Sequence, residues 1–194
     1  MKEFEIVSNA IKNRRTVKAA SMNGKLIPDE LIEELLKLAD WAPTHGKTEP
    51  WRYFVFRGAS LKKFGEDHAE LYKNNTSSEN FKQETYDKLF HAVDKSSHLI
   101  AAVMKRGINP KIPKLEEICA ASASIENMLI GASALGLSVI WNSGGMTHEN
   151  PMKKYLGLEE EDVVLGLIYL GYTDMPAKAG TRNIPLEEKV KWME

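Results

Sequence analysis

The stretch from Pro113 to Leu135 constrains this chain more than any other part of it. Leu115, Ile118, Ser122, Ile125, Leu129 and Ala132 recur at alternating spacings of three and four, which is one face of a helix. Helical throughout, the stretch would run about 34 Å, at roughly 1.5 Å of rise per residue. Ala120, Ala121, Ala123, Ser124, Gly131, Ser133 and Ala134 surround that face and allow close backbone approach. A long helix apolar over so much of its surface needs cover on nearly all sides. A central helix in a monomer is one solution; a two-fold dimer reaches it more readily, and is the expectation here. Cys119 falls within this helix with no cationic neighbour and reads as core rather than nucleophile.

The rest of the chain alternates helices and short apolar runs. Phe4 to Asn13 reads as a helix with Phe4, Val7 and Ile11 on one face. Pro28 to Asp40 is a second helix, with Pro28 at its first position and Asp29 and Glu30 at the positive end of its dipole. Trp51 to Phe56 is a strand, apolar enough to suggest burial on both faces. Ser60 reads as the cap of a helix from Leu61 to Tyr72. The polar region from Lys73 to Lys95 reads as a loop and a charged helix, a solvated linker more than a mobile cover. Strands follow at His98 to Lys105, Leu137 to Trp141 and Asp162 to Tyr172, with a short helix from His148 to Leu156 between the last two. The tail from Thr173 is basic and proline-punctuated, and its Ile184, Val190 and Trp192 suit packing onto a surface, a partner's included. Nothing marks a domain boundary, so residues 1–194 are expected to form a single domain.

Composition excludes several classes. With 26 basic and 27 acidic residues the net charge is −1, which gives no global attraction for nucleic acid or an anionic membrane. No apolar run is long enough for a membrane span. A lone cysteine rules out an intrachain disulfide, and the first residues hold no apolar signal core, so cytoplasmic residence is expected. The five histidines lack metal-ligand spacing, so no metal site is expected. Neither a G-x-G-x-x-G fingerprint nor a P-loop is present, and no G-x-S-x-G elbow supports a serine hydrolase.

Three stretches carry candidate binding chemistry. Arg14 to Lys18, R-R-T-V-K, sets three cations around a hydroxyl, a pattern suited to phosphate or carboxylate. Taken alone it fits a solvated basic patch at a helix C-terminus at least as well. Trp41 to Arg52, W-A-P-T-H-G-K-T-E-P-W-R, suspends a polar loop between two prolines. Such loops often carry binding groups, though a plain connection fits too. Trp141, Asn142 and Ser143 leave a strand end for the Gly144–Gly145 turn, where backbone N–H groups can meet a ligand.

In their order and spacing these three stretches, with G-L-I-Y-L-G-Y and T-R-N-I-P-L-E-E further on, resemble the nitroreductase family of FMN enzymes, in its small single-domain branch. The resemblance implies an α+β fold, a central, mainly antiparallel sheet wrapped by helices, as an intertwined homodimer with FMN at the interface. It implies that Arg14, Arg15 and Thr16 hold the phosphate, ribityl and pyrimidine side of the flavin. Thr16 keeps the hydroxyl of the more usual serine. Trp41 and His45 would reach in from the other subunit, and Trp141, Asn142 and Ser143 would line the isoalloxazine. Lys178 and Arg182 are weaker phosphate candidates. No side chain is assigned a catalytic role, because the flavin carries the chemistry. The implied activity is hydride transfer from NADH or NADPH to the flavin, and on to a nitroaromatic, quinone or similar small acceptor. Alternatives on the same fold are reductive dehalogenation, flavin remodelling, and a flavin-binding or regulatory dimer without turnover.

Overall fold

The structure, a computed structural model, describes residues 2–193. The elements in chain order are α1 (Lys2–Asn13), α2 (Asp29–Ala39), β1 (Trp51–Arg57), α3 (Gly58–Asn74), α4 (Gln83–Phe90), β2 (His98–Met104), α5 (Lys114–Ala134), β3 (Ser138–Asn142), α6 (Asn150–Tyr155) and β4 (Val163–Gly171). The four strands form one antiparallel sheet in the order β1-β2-β4-β3.

Side chains alternate across a strand, and the two central strands bury both sets. Ile100 and Ala102 of β2, with Ile168 and Leu170 of β4, face α2 and α5. Leu99, Ala101, Val103 and Leu167 face α3 and α6, where Phe64 and Met152 complete the layer. That double burial explains the unbroken apolar runs in the sequence of β2 and β4. In β1, by contrast, Arg52, Val55 and Arg57 are exposed, so the expectation of burial on both faces is corrected. The strand lies at the sheet edge, where one flank has no neighbour to cover it.

Other boundaries move for local reasons. Helix α2 begins at Asp29, which leaves Pro28 at the cap position. Helix α3 begins at Gly58, not Leu61, and Ser60 is its third residue. There its hydroxyl accepts the Arg57 N–H at 3.0 Å and donates to the Arg57 carbonyl at 2.8 Å. The 73–95 region is not a solvated linker. Tyr72, Phe81, Tyr86 and Phe90 form a ladder with ring centroids 5.6–6.3 Å apart, which packs α4 on α3. Leu89 and Val93 are buried behind it.

Helix α5 has its predicted length and ends at Gly136, whose φ of 70° suits glycine. The predicted seam is buried at Ile125, Leu129 and Ala132 but not at its start, where Leu115 is 67% exposed; Glu117, Ala121, Ser124, Met128 and Gly131 are buried beside it. Cys119 is exposed, which corrects its reading as a core residue. Small residues serve as expected at Gly131, where an added Cβ would lie 2.6 Å from Leu38 of α2. At Ser124 the hydroxyl donates to the Ala39 carbonyl at 2.6 Å and meets the Tyr53 hydroxyl at 2.5 Å, tying α2, α5 and β1 together. Burial pushes the Tyr53 phenol up to about 12.

Candidate active site

Helix α1 hands the R-R-T-V-K segment to the free edge of β3. Thr16 bridges Val139 in parallel, and the Val17 N–H donates to the Val139 carbonyl at 3.0 Å. The neighbouring strand β4 ends beside the start of β3, where Gly171 pairs with Ser138. From there the tail runs back across the R-R-T-V-K segment, held by the Thr173 hydroxyl on the Ser21 carbonyl at 2.7 Å. Between segment and tail lies a cleft of about 630 Å³, whose polar lining includes Arg15, Thr16, Lys18, Ser138 and Lys178. That volume is of the size that takes a cofactor, typically about 300–1,000 Å³.

The two arginines diverge. Arg14 is absent from the cleft lining, and its guanidinium pairs with Glu126 of α5 at 3.4 Å. Arg15 enters the cleft wall with part of its guanidinium engaged: Nη1 bonds the Lys12 and Arg14 carbonyls at 2.7 and 2.8 Å, and Nε bonds the Lys178 carbonyl at 2.9 Å. Gly180 packs on the same guanidinium so closely that any Cβ would overlap it. Arg15 thus staples the tail across the cleft and places Lys178 there. Lys18 and Lys178 both line the cleft, and among the described residues neither makes an ion pair. Lys18, the third cation of R-R-T-V-K, lines the cleft, although the resemblance implies a role only for Arg14, Arg15 and Thr16 of that segment. Arg182 is exposed and donates only to its neighbour's carbonyl at Thr181.

The other end of β3 carries Trp141, Asn142 and Ser143. Trp141 Nε1 donates to the Leu165 carbonyl at 2.9 Å, and Gly166 leaves room for the indole. Burial pushes the Tyr169 phenol up to about 12, against a smaller opposing hydrogen bond from Asn142. Thr16 and Trp141 therefore lie along one strand edge, through the bridge at Val139.

Trp41 and His45 stand apart. Trp41 is 85% exposed just beyond α2. His45 Nδ1 meets Glu116 of α5 at 2.5 Å. Arg14 contacts the same helix at Glu126, about 15 Å further along at roughly 1.5 Å per residue. One chain does not close these two groups around a common point.

Other polar clusters do not form a site. Ser97, His98 and Asp29 are hydrogen-bonded in series, at 2.9 and 3.0 Å. The Ser97 hydroxyl is buried and accepts the Ile27 N–H at 2.7 Å, so it ties the entry of α2 to β2 and presents no nucleophile. Among the described residues no three His, Cys, Asp or Glu side chains gather as metal ligands. Among the described residues no helix is long and apolar enough to cross a membrane.

An antiparallel sheet between two helical layers, with a cleft lined by Arg15, Lys18 and Lys178 along one strand edge, defines an α+β protein with a candidate anion site. Residues 11–172 match the nitroreductase family, and the chain belongs to it. It is 26% identical over 156 residues to Escherichia coli YdjA, provisionally named an NAD(P)H nitroreductase, spanning 80% of this chain and 82% of that one. A solved nitroreductase-like family protein from Bacillus cereus superposes with a TM-score of 0.83 at 26% identity, covering 97% of this chain and 96% of that one. The FMN-dependent nitroreductase NfnB of Mycobacterium smegmatis, solved with NADPH, superposes with a TM-score of 0.75 at 16% identity, covering 98% and 99%.

Proposed function

We propose that this chain is an FMN-dependent oxidoreductase, working as a homodimer, that takes hydride from NADH or NADPH and reduces a small acceptor such as a nitroaromatic or a quinone. The cleft between the R-R-T-V-K segment and the tail carries this reading, because it offers Lys18 and Lys178 beside the hydroxyls of Thr16 and Ser138. That donor set suits a phosphate dianion joined to a polyol. Family membership supports the same chemistry.

Bound FMN would supply a ring that accepts hydride and passes electrons on. The chain's own groups bind and orient it. Lys18 and Lys178 hold negative charge in the cleft, Arg15 keeps Lys178 in place, and Thr16 donates or accepts at the edge of β3. Trp141, Asn142 and Ser143 lie further along that edge and line the ring. A protein that stabilises negative charge on the reduced ring raises its potential, and these cations serve that purpose.

The dimer rests on apolar surface that one chain leaves open. Helix α1 buries none of its residues, and Phe4 on its apolar face is 76% exposed. Trp192 in the tail is 88% exposed. An amphipathic helix with no buried residue suits cover by a second copy. A second copy would cover it and bring Trp41 and His45 to a ring bound mainly by the first.

The test is spectroscopic. Purified protein mixed with FMN should retain the yellow flavin absorbance through gel filtration, and NADH or NADPH should bleach it without oxygen. Protein that stays colourless refutes flavin binding; bound flavin that neither nucleotide bleaches leaves a binding protein and refutes the enzyme.

A further inference from the structure

The loop after β3 is clamped from beneath by a histidine that the flavin reading does not use. His68, in the middle of α3, is 1% exposed. Its Nε2 accepts the Met146 N–H at 3.0 Å. An imidazole that accepts at Nε2 is neutral and carries its proton on Nδ1. That Nδ1 is the one buried side-chain nitrogen or oxygen among the described residues with no partner. Phe64 packs on the ring with centroids 5.6 Å apart. On the other side lies Gly145, at φ 66°, where an added Cβ would sit 2.6 Å from Nε2 and 2.7 Å from Leu89.

Beyond the His68 bond the loop's C-terminal half is anchored, with Met146 and Thr147 buried and the Met146 carbonyl accepting the Glu149 N–H at 2.9 Å, while its first half is not. The buried Thr147 hydroxyl donates to the Gly144 carbonyl at 2.6 Å, a bond within the loop itself. Ser143, Gly144 and Gly145 are exposed, and their amides donate to no backbone carbonyl among the described residues. An apolar side chain would fill the space of His68 without leaving a donor orphaned. An imidazole there trades that orphan for one accepted bond from the loop, and the loop is where the gain lies.

We propose that His68 is a positioning residue: by accepting the Met146 N–H it holds the Ser143–Thr147 loop in the one shape that turns the Ser143, Gly144 and Gly145 amides toward the ring. The orientation toward a ring rests on the flavin reading above; the clamp on the loop does not.

Hydrogen exchange by mass spectrometry on the flavin-free protein reads the clamp, and FMN titration with the visible spectrum reads its consequence. In His68→Leu, exchange of the Met146 amide, read in peptides spanning residues 142–149, should rise about tenfold, the scale of one lost hydrogen bond, while β2 and β4 keep their protection. FMN should bind about tenfold more weakly, with a shifted absorbance band. His68→Gln places an amide oxygen near the Nε2 position and should restore both. Gly145→Ala, which forces the loop off the ring without altering α3, should reproduce the exchange change even if His68→Leu folds poorly. Unchanged exchange in both variants overturns the clamp, and a rise spread evenly through β2 and β4 shows a core filler instead. Faster loop exchange with unaltered FMN affinity and spectrum overturns the orientation toward the ring. If wild-type protein takes up no FMN, the flavin reading and that orientation fall together, and the exchange result alone decides the clamp.

Discussion

Glu117 and Arg106 form an ion pair whose carboxylate is wholly inside the protein. One carboxylate oxygen meets the guanidinium, and the other accepts the Gly107 N–H at 3.0 Å. Arg106 Nη2 also donates to the Ile112 carbonyl at 3.0 Å, so the pair fixes the loop between β2 and α5. Gly107 has to be glycine, since a Cβ would crowd the Glu117 carboxylate.

Removing one partner leaves the other charge buried without compensation. Glu117→Ala should destabilise the fold by about 3–5 kcal/mol, whereas Arg106→Met with Glu117→Leu should recover much of that loss. Urea unfolding followed by circular dichroism measures both. Equal stability of Glu117→Ala and wild type would contradict the buried pair.

The His68 imidazole makes a pH prediction. Burial lowers its pKa from 6.5 to about 4. The unfolded chain binds this proton more readily than the folded one. The contribution is therefore complete above about pH 6.5 and is lost as pH falls through about 4. A drop of that size corresponds to about 3 kcal/mol at the bottom of the window. His98 acts in the same sense, lowered first by burial and then by the Arg57 charge, despite its contact with Asp29. Arg57 also pairs with that carboxylate and offsets its pull. Unfolding midpoints between pH 7 and 4 should fall more steeply for wild type than for His68→Gln.

At the strand edge, Gly166→Ala would drive a methyl into the Trp141 indole. The indole would have to leave its bond to the Leu165 carbonyl. Overpacking of this kind costs about 1–3 kcal/mol. A red-shifted tryptophan emission with a lower melting temperature is the expected outcome.

The two tail cations should behave differently. Lys178 lines the cleft, and Lys178→Ala should weaken FMN binding by about 1.5–3 kcal/mol, the range for a charged hydrogen bond. Arg182 is exposed and outside that lining, so Arg182→Ala should change affinity by no more than about 0.5 kcal/mol. Isothermal titration of both variants with FMN decides the assignment.

Sedimentation should show a dimer at micromolar concentration. Phe4→Asp places a charge on the exposed apolar face of α1 and should shift the protein towards monomer. A monomeric wild type that still binds FMN would refute the shared site.

Much of this was legible before any coordinates. The lengths of α5, β2 and β4 follow from local periodicity, because burial on one or both faces imprints itself on neighbouring residues. The cationic segment and the glycine turn are weak signals taken singly, and only their order and spacing along the chain carry the resemblance. Local pattern did not reveal that Arg15 would turn its Nε to the tail, since Lys178 lies at the far end of the sequence. Leu115 belonged to a helical seam on paper and Cys119 read as core, yet both are exposed while Glu117 and Ser124 face inward. Their partners, Arg106 and Ala39, come from other elements.

By itself, then, the chain's order of residues determined which segments become helices and strands, and which of them carry positive charge. Only the tertiary structure decided that β1 lies at an edge, that a buried carboxylate is tolerated at Glu117, and that Lys18 and Lys178 share one cleft. The reason is range: periodicity is written between residues a turn apart, whereas a cleft or a compensated charge exists only once distant segments have packed together.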